Sequence, residues 1–230
     1  MNQKILEATK NILEINLEIN KEPYSNNPVI VVYDLECELT KNIWKWYREN
    51  LQNRKNSEVI IFEEIEALVL KEKLMNLPED STVVLVQSRD FRLDDFRIRL
   101  NLHNKWVGCM EHNHLIYLRE GESDTYINAI WYKWEEYNRL STKFKNISDN
   151  AETAKIICHN WDTLEISGGF EDMKQNIWDY TGRNRGSTLP CGENFSESKD
   201  FDKVNGKLSV TCYPDSDMNI HFCEPFTIDI

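Results

Sequence analysis

Four short apolar runs recur along the first half of the chain: Val29-Ile30-Val31-Val32-Tyr33, Glu58 to Phe62, Thr82-Val83-Val84-Leu85-Val86 and Trp106-Val107-Gly108-Cys109-Met110. Runs this short, rich in β-branched residues and without polar alternation, fit strands buried on both faces. Helical periodicity fills the gaps, from Leu39 to Asn53, Ile65 to Met75 and Phe91 to His103. Another helix is expected in front, over residues 3–19, where Ile5, Ala8, Ile12, Ile15 and Ile19 form one stripe. Asp124 to Phe144 reads as one long helix with Ile127, Ile130, Trp131, Trp134 and Tyr137 on one side. Strands alternating with helices and joined by right-handed crossovers give an α/β domain with a doubly wound, mostly parallel sheet. It is expected to occupy residues 1–148.

From about Lys155 the pattern changes to hairpins. Ile156 to His159 and Leu164 to Ile166 read as strands, and Asn205-Gly206 between β-type runs suits a type I′ turn. Pro214-Asp215-Ser216-Asp217 is a further turn, and Pro225 to Ile230 alternates like a strand. Residues 149–230 are therefore expected to form a smaller, β-rich C-terminal part. An apolar edge at the Phe226 to Ile230 run invites strand pairing, so a twofold homodimer is expected.

Charge narrows the partners. The 230 residues carry a net charge of −12, which disfavours nucleic acid and anionic membrane. No stretch is long and apolar enough to span a bilayer, and the N-terminal residues lack the apolar core of a signal peptide. Six cysteines without a Cys-x-x-Cys pair read as reduced thiols, and a cytoplasmic location is expected.

A doubly wound sheet binds ligands at the carboxyl ends of its strands. Those ends supply Asp34 and Glu36, Glu63 and Glu64, Gln87 and Arg89, then Glu111, His112 and His114. No Gly-rich loop follows the first strand, so a nucleotide phosphate finds no backbone cradle there. His112-x-His114 reads as a metal-binding pair if both lie on one strand, because alternate residues share a face. Arg89, Arg92, Arg97 and Arg99, interleaved with Asp90, Asp94 and Asp95, read as i,i+4 ion pairs, with an arginine left to hold a carboxylate. Trp131 and Trp134 are packing aromatics that also suit a groove wall. Cys158 and His159, adjacent in a strand, point to opposite faces and make a poor catalytic pair.

The run Gly186-Ser187-Thr188-Leu189-Pro190-Cys191-Gly192-Glu193-Asn194-Phe195, followed by Val204-Asn205-Gly206, resembles a segment of the aminopeptidase T (thermophilic leucyl aminopeptidase) family. That family's segment reads Asn-x-Pro-x-Gly-Glu-Val-Phe and then Asn-Gly; here Thr188 stands at its Asn and Asn194 at its Val. The resemblance implies a dinuclear metallopeptidase scaffold with Glu193 as its first metal ligand. The family's later ligands lie downstream of the position of Ile230, which leads to the expectation of a truncated scaffold.

Two functions follow. One is a peptide-binding protein without catalysis and without cofactor, an accessory to peptide maturation, with Asp34, Glu36, Arg89, His112, His114, Trp131 and Trp134 as its binding residues. The other is a small metal-dependent aminopeptidase or hydrolase, in which Glu193 joins His112, His114, His159 or His221 on a divalent ion such as zinc.

Overall fold

The structure is a computed structural model that describes residues 2–89, 91, 93, 97–118, 121–131, 133–176, 185–190, 192–215 and 220–230. The chain divides into two compact units, residues 1–134 with 178–192 and residues 135–177 with 193–230. Each unit is thus assembled from two stretches of chain, and the dividing points differ from the expected boundary at 148/149.

The first unit opens with α1 (Asn2–Asn11), which continues as a π-helical turn over Ile12–Asn16. The wider turn, closed by Leu17 N–H to the Ile12 carbonyl, shifts the buried stripe. Leu13, Asn16 and Leu17 are buried, whereas Ile15, expected on the stripe, is exposed. Then come β1 (Val29–Tyr33), α2 (Glu38–Leu51), β2 (Ser57–Ile61), α3 (Ala67–Met75), β3 (Thr82–Val86), α4 (Ile98–Asn104), β4 (Gly108–Glu111) and α5 (Ser123–Ile130). The four strands pair in parallel in the order β2-β1-β3-β4. Alternation sorts the side chains of β1 between two cores. Val29, Val31 and Tyr33 pack with α1, α2 and α5, and Ile30 and Val32 pack with α3 and α4. This is the expected doubly wound arrangement.

Residues 185–189 run alongside β4 as a further parallel ribbon. Cys109 and Glu111 N–H donate to the carbonyls of Arg185 and Ser187, and Leu189 N–H donates to that of Glu111. Arg185, only 1% exposed, anchors this ribbon. Its guanidinium donates to the carbonyls of Leu17 (2.7 Å), Asp80 (2.8 Å) and Ser81 (2.9 Å) and to Thr82 Oγ1 (3.2 Å). The same group lies over the ring of Tyr24, 3.5 Å from its centroid. Gly108 leaves room for it, since a Cβ there would stand 3.1 Å from Arg185 Cβ. Gly186 has φ +108°, and an added Cβ would lie 1.8 Å from the Cys109 carbonyl oxygen.

Two expected helices are shorter. Among the described residues of the stretch 91–103, helix is present from Ile98, in α4, with Phe91 and Leu93 buried ahead of it; Asp90, Arg92, Asp94 and Asp95 lie outside the described residues. The single helix expected over 124–144 is two, α5 and α6 (Trp134–Asp149). The chain passes from the first unit to the second at 134/135, so a periodicity that reads as continuous serves two separate bodies.

The second unit holds α6, β5 (Thr153–Ile157), β6 (Thr163–Ser167), β7 (Lys174–Asn176), β8 (Glu193–Phe195), β9 (Val204–Pro214) and β10 (Ile220–Asp229). An antiparallel sheet runs in the order β10-β9-β6-β5, and β7 pairs with β8. Asn205-Gly206, expected as a hairpin turn, is instead inside β9, facing Glu165 and Leu164. Gly206 is required there by close backbone approach, because a Cβ would meet the Thr163 carbonyl at 2.2 Å. The hairpin is formed by β9 and β10. Ser141 of α6 is buried against the β7–β8 pair, where its carbonyl accepts from Asn194 Nδ2 (2.9 Å) and its hydroxyl accepts from Gln175 Nε2 (2.7 Å).

Replacing Arg185 by Met removes the guanidinium from the carbonyls of Leu17 and Asp80, leaves that of Ser81 with only the Gly108 N–H, and removes the ribbon's anchor. It is expected to lower stability by about 3 kcal/mol or more in urea titration. Arg185→Lys should recover only part of that, since an ammonium cannot reproduce the guanidinium fork.

Candidate functional site

The strand order places a topological switch point between β1 and β3, because the chain leaves β1 toward β2 on one side and reaches β3 on the other. Asp34 follows β1 directly and is fully buried. Its carboxylate accepts from the Ser88 backbone N–H and from Ser88 Oγ (2.7 Å), just beyond β3. Glu36 N–H (3.2 Å) and the Thr40 hydroxyl (3.1 Å) complete its surroundings. Asp34 therefore closes the crevice by joining the ends of the two central strands, and its oxygens are committed to that role.

Above it stands an exposed charged group. Arg89 donates to Glu36 (2.8 Å) and Glu63 (3.1 Å), and its guanidinium lies 5.1 Å from the Phe62 ring centroid. Phe62 stacks in turn on Phe91 at 4.2 Å, and Glu63 also accepts from Leu35 N–H. Two carboxylates bracket one guanidinium, so the cluster keeps an excess negative charge at the mouth of the crevice. Burial, followed by the carboxylate of Glu64, holds the Tyr33 phenol at the end of β1 above its ordinary range. Of the sequence candidates, Asp34, Glu36 and Arg89 come together here.

His112 does not join them. The chain leaves β4 at Glu111, and His114 falls in a 3-10 turn over Asn113–Tyr117, so the two histidines are not alternate residues of a strand. The side chain of His114 lies outside the described residues. His112 is fully buried between α2 and α5, with Tyr47 Oη 2.7 Å from Nε2 and Tyr126 Oη 2.7 Å from Nδ1. Both ring nitrogens are engaged, one as donor and one as acceptor, which leaves neither for a metal. Burial lowers the His112 pKa from 6.5 to about 3 and pushes the Tyr47 and Tyr126 phenols well up.

The remaining candidates are dispersed. Trp131 packs partly against the first core, with Lys4 Nζ 4.9 Å and Lys133 Nζ 5.6 Å from its ring. Trp134 begins α6, and its side chain lies outside the described residues. Glu193 is exposed in β8, paired with Asn176 of β7, in the second unit. His221 Nε2–H donates to the Asp215 carboxylate at 2.6 Å, and its ring stacks on Tyr213. Cys158-His159 sits at a turn, where Trp161 N–H reaches the Cys158 carbonyl, rather than in a strand. Among the described residues no three His, Cys, Asp or Glu side chains gather as a metal site. Arg99 pairs with Glu111 (2.8 Å).

Sequence reasoning passed over Ser88 and Thr40, the partners of Asp34, and Tyr47 and Tyr126, the partners of His112. Small hydroxyls after a strand and tyrosines on a helix carry no motif; only the strand order shows that they converge.

No family model matches this chain, and no curated protein matches it. Among solved structures, 2,5-dihydroxypyridine dioxygenase from Pseudomonas putida KT2440 is similar, with a TM-score of 0.57 at 11% identity. The match covers 100% of this chain and 66% of that enzyme, so the chain spans about two thirds of its length. At this identity the likeness is one of fold.

The His112 pocket sets a pH dependence. A histidine whose folded pKa lies below its unfolded value contributes stability above the unfolded pKa and loses it as pH falls toward the folded one. Between pH 6.5 and pH 5 this one group should remove about 2 kcal/mol of stability. Urea titrations at the two pH values should show that loss in the native protein and much less of it in His112→Gln.

Proposed function

We propose that this chain binds an extended, basic peptide without cleaving it, on a scaffold like the front part of an aminopeptidase. The observation that carries this reading is the bracketed Arg89 at the switch point. Glu36 and Glu63 together exceed its charge, and both stand at the open end of the crevice. An ammonium group, from a peptide N-terminus or a lysine, gains from that excess. Phe62, partly buried and stacked on the buried Phe91, supplies an apolar wall next to the charges. The overall charge of −12 favours encounter with a cationic partner. A hydrolytic reading through His112 is disfavoured by the two tyrosines that occupy its ring nitrogens. A role beside enzymes that mature a ribosomal peptide fits a carrier of this kind, in the cytoplasm.

Calorimetry with short lysine-rich peptides should give micromolar or tighter binding that weakens as salt rises. Glu36→Gln with Glu63→Gln should weaken it about tenfold or more, and acetylating the peptide N-terminus separates terminal from side-chain recognition. Mass spectrometry of the recovered peptide should find it intact. Shortening from the N-terminus in the presence of added zinc or cobalt, abolished by Glu193→Ala, would replace the carrier reading with the peptidase one.

A further inference from the structure

The antiparallel sheet of the second unit has one face that is apolar almost without interruption. The register places Ile156 of β5, Leu164 of β6, Leu208 and Val210 of β9 and Phe222, Phe226 and Ile228 of β10 on it, with no charged residue among its paired positions. The opposite face carries Lys155, Glu165, Lys207 and Asp229. Exposure rises toward β10, where Phe222 is 74% exposed, Phe226 45% and Ile228 41%. Of the nineteen exposed large hydrophobic residues among those described, fourteen belong to the second unit.

We infer that this face is the contact between two copies of the chain, packed sheet on sheet about a twofold axis. Two observations select that occupant. The first is charge: copies that each carry −12 repel one another, and a face with no charge at its paired positions is where they can meet. The second is the edge. Between Phe222 and Phe226 the β9–β10 register shifts at a bulge that contains Glu224 and Pro225. A bulge, a carboxylate and a residue without an N–H obstruct addition of another strand along β10, which turns association from the edge to the face. At ~3.3 Å per residue and ~4.8 Å between strands, the four strands span roughly 500 Å² in projection, but Leu164 of β6 is already buried, so the free area lies mainly on β9 and β10 and makes a small interface beside the about 800 Å² per partner of a standard one. Two such faces pack about 10 Å apart, as in a β-sandwich.

The test uses the full chain. Sedimentation velocity across a dilution series should show a dimer at tens of micromolar. Phe226→Glu with Ile228→Lys should weaken dimerisation about a hundredfold or more, since each charge would be buried without a partner. Thr227→Glu, on the opposite face, should leave it unchanged. Cys212 gives a readout in the unmutated protein, because it is exposed and shares the face with Val210. Its alkylation rate should fall as protein concentration rises. A monomer at tens of micromolar, a concentration-independent alkylation rate, a dimer disrupted by Thr227→Glu alone, or a different protein found covering the face would each overturn the inference.

Discussion

A buried guanidinium bonded to backbone carbonyls holds the first unit together. Arg185 sits in the interior, and its hydrogen bonds go to three carbonyls and one hydroxyl contributed by the end of the π-helical turn and the start of β3. Burial lowers its pKa, yet a guanidinium starts so high that it keeps its charge. The two terminal nitrogens of the fork donate to the carbonyls of Leu17, Asp80 and Ser81 and to the Thr82 hydroxyl, and the Tyr24 ring covers the planar face. Because the arginine also begins the ribbon beside β4, the same side chain that fastens the N-terminal segment fixes where the sheet ends.

Much of this architecture is legible in the sequence. The run Thr82 to Val86 is a strand to the residue, and the α/β alternation fixes the doubly wound class. What escapes is everything that depends on pairing across long separations. Asn205-Gly206 has the local chemistry of a turn, but tertiary contact with Thr163 and Leu164 recruits the glycine for close approach within a strand. Ile15 fits an α-helical stripe and is nevertheless exposed, since the π turn adds a residue to the repeat. Asp34, Glu36 and Arg89 were readable as strand-end residues because the carboxyl-end rule needs only the strands. Their mutual bonding needed the order β2-β1-β3-β4, which no local pattern contains.

The two histidine-centred and aspartate-centred clusters divide structural from surface roles. His112 and Asp34 are polar groups inside the first unit whose bonding capacity is spent on neighbours, so they specify packing. Glu36, Glu63 and Arg89 satisfy one another at the rim, where water or a ligand can exchange with them at small cost. A strand-end carboxylate thus reads as binding or as structural according to its depth, a property the sequence does not carry.

The ribbon at residues 185–189 also bears on how the chain comes to be folded as it is made. The contact from Arg185 to Leu17 closes across 168 residues, and the bond to Thr82 across 103. The opening helices and all four strands of the parallel sheet emerge from the ribosome well before Arg185 does, and the first part of the second unit is translated in between. Until then β4 waits with an unpaired edge, the kind of surface that chaperones recognise. The native first unit is therefore a late product of translation, completed only when its last piece returns to it from the far side of an inserted segment.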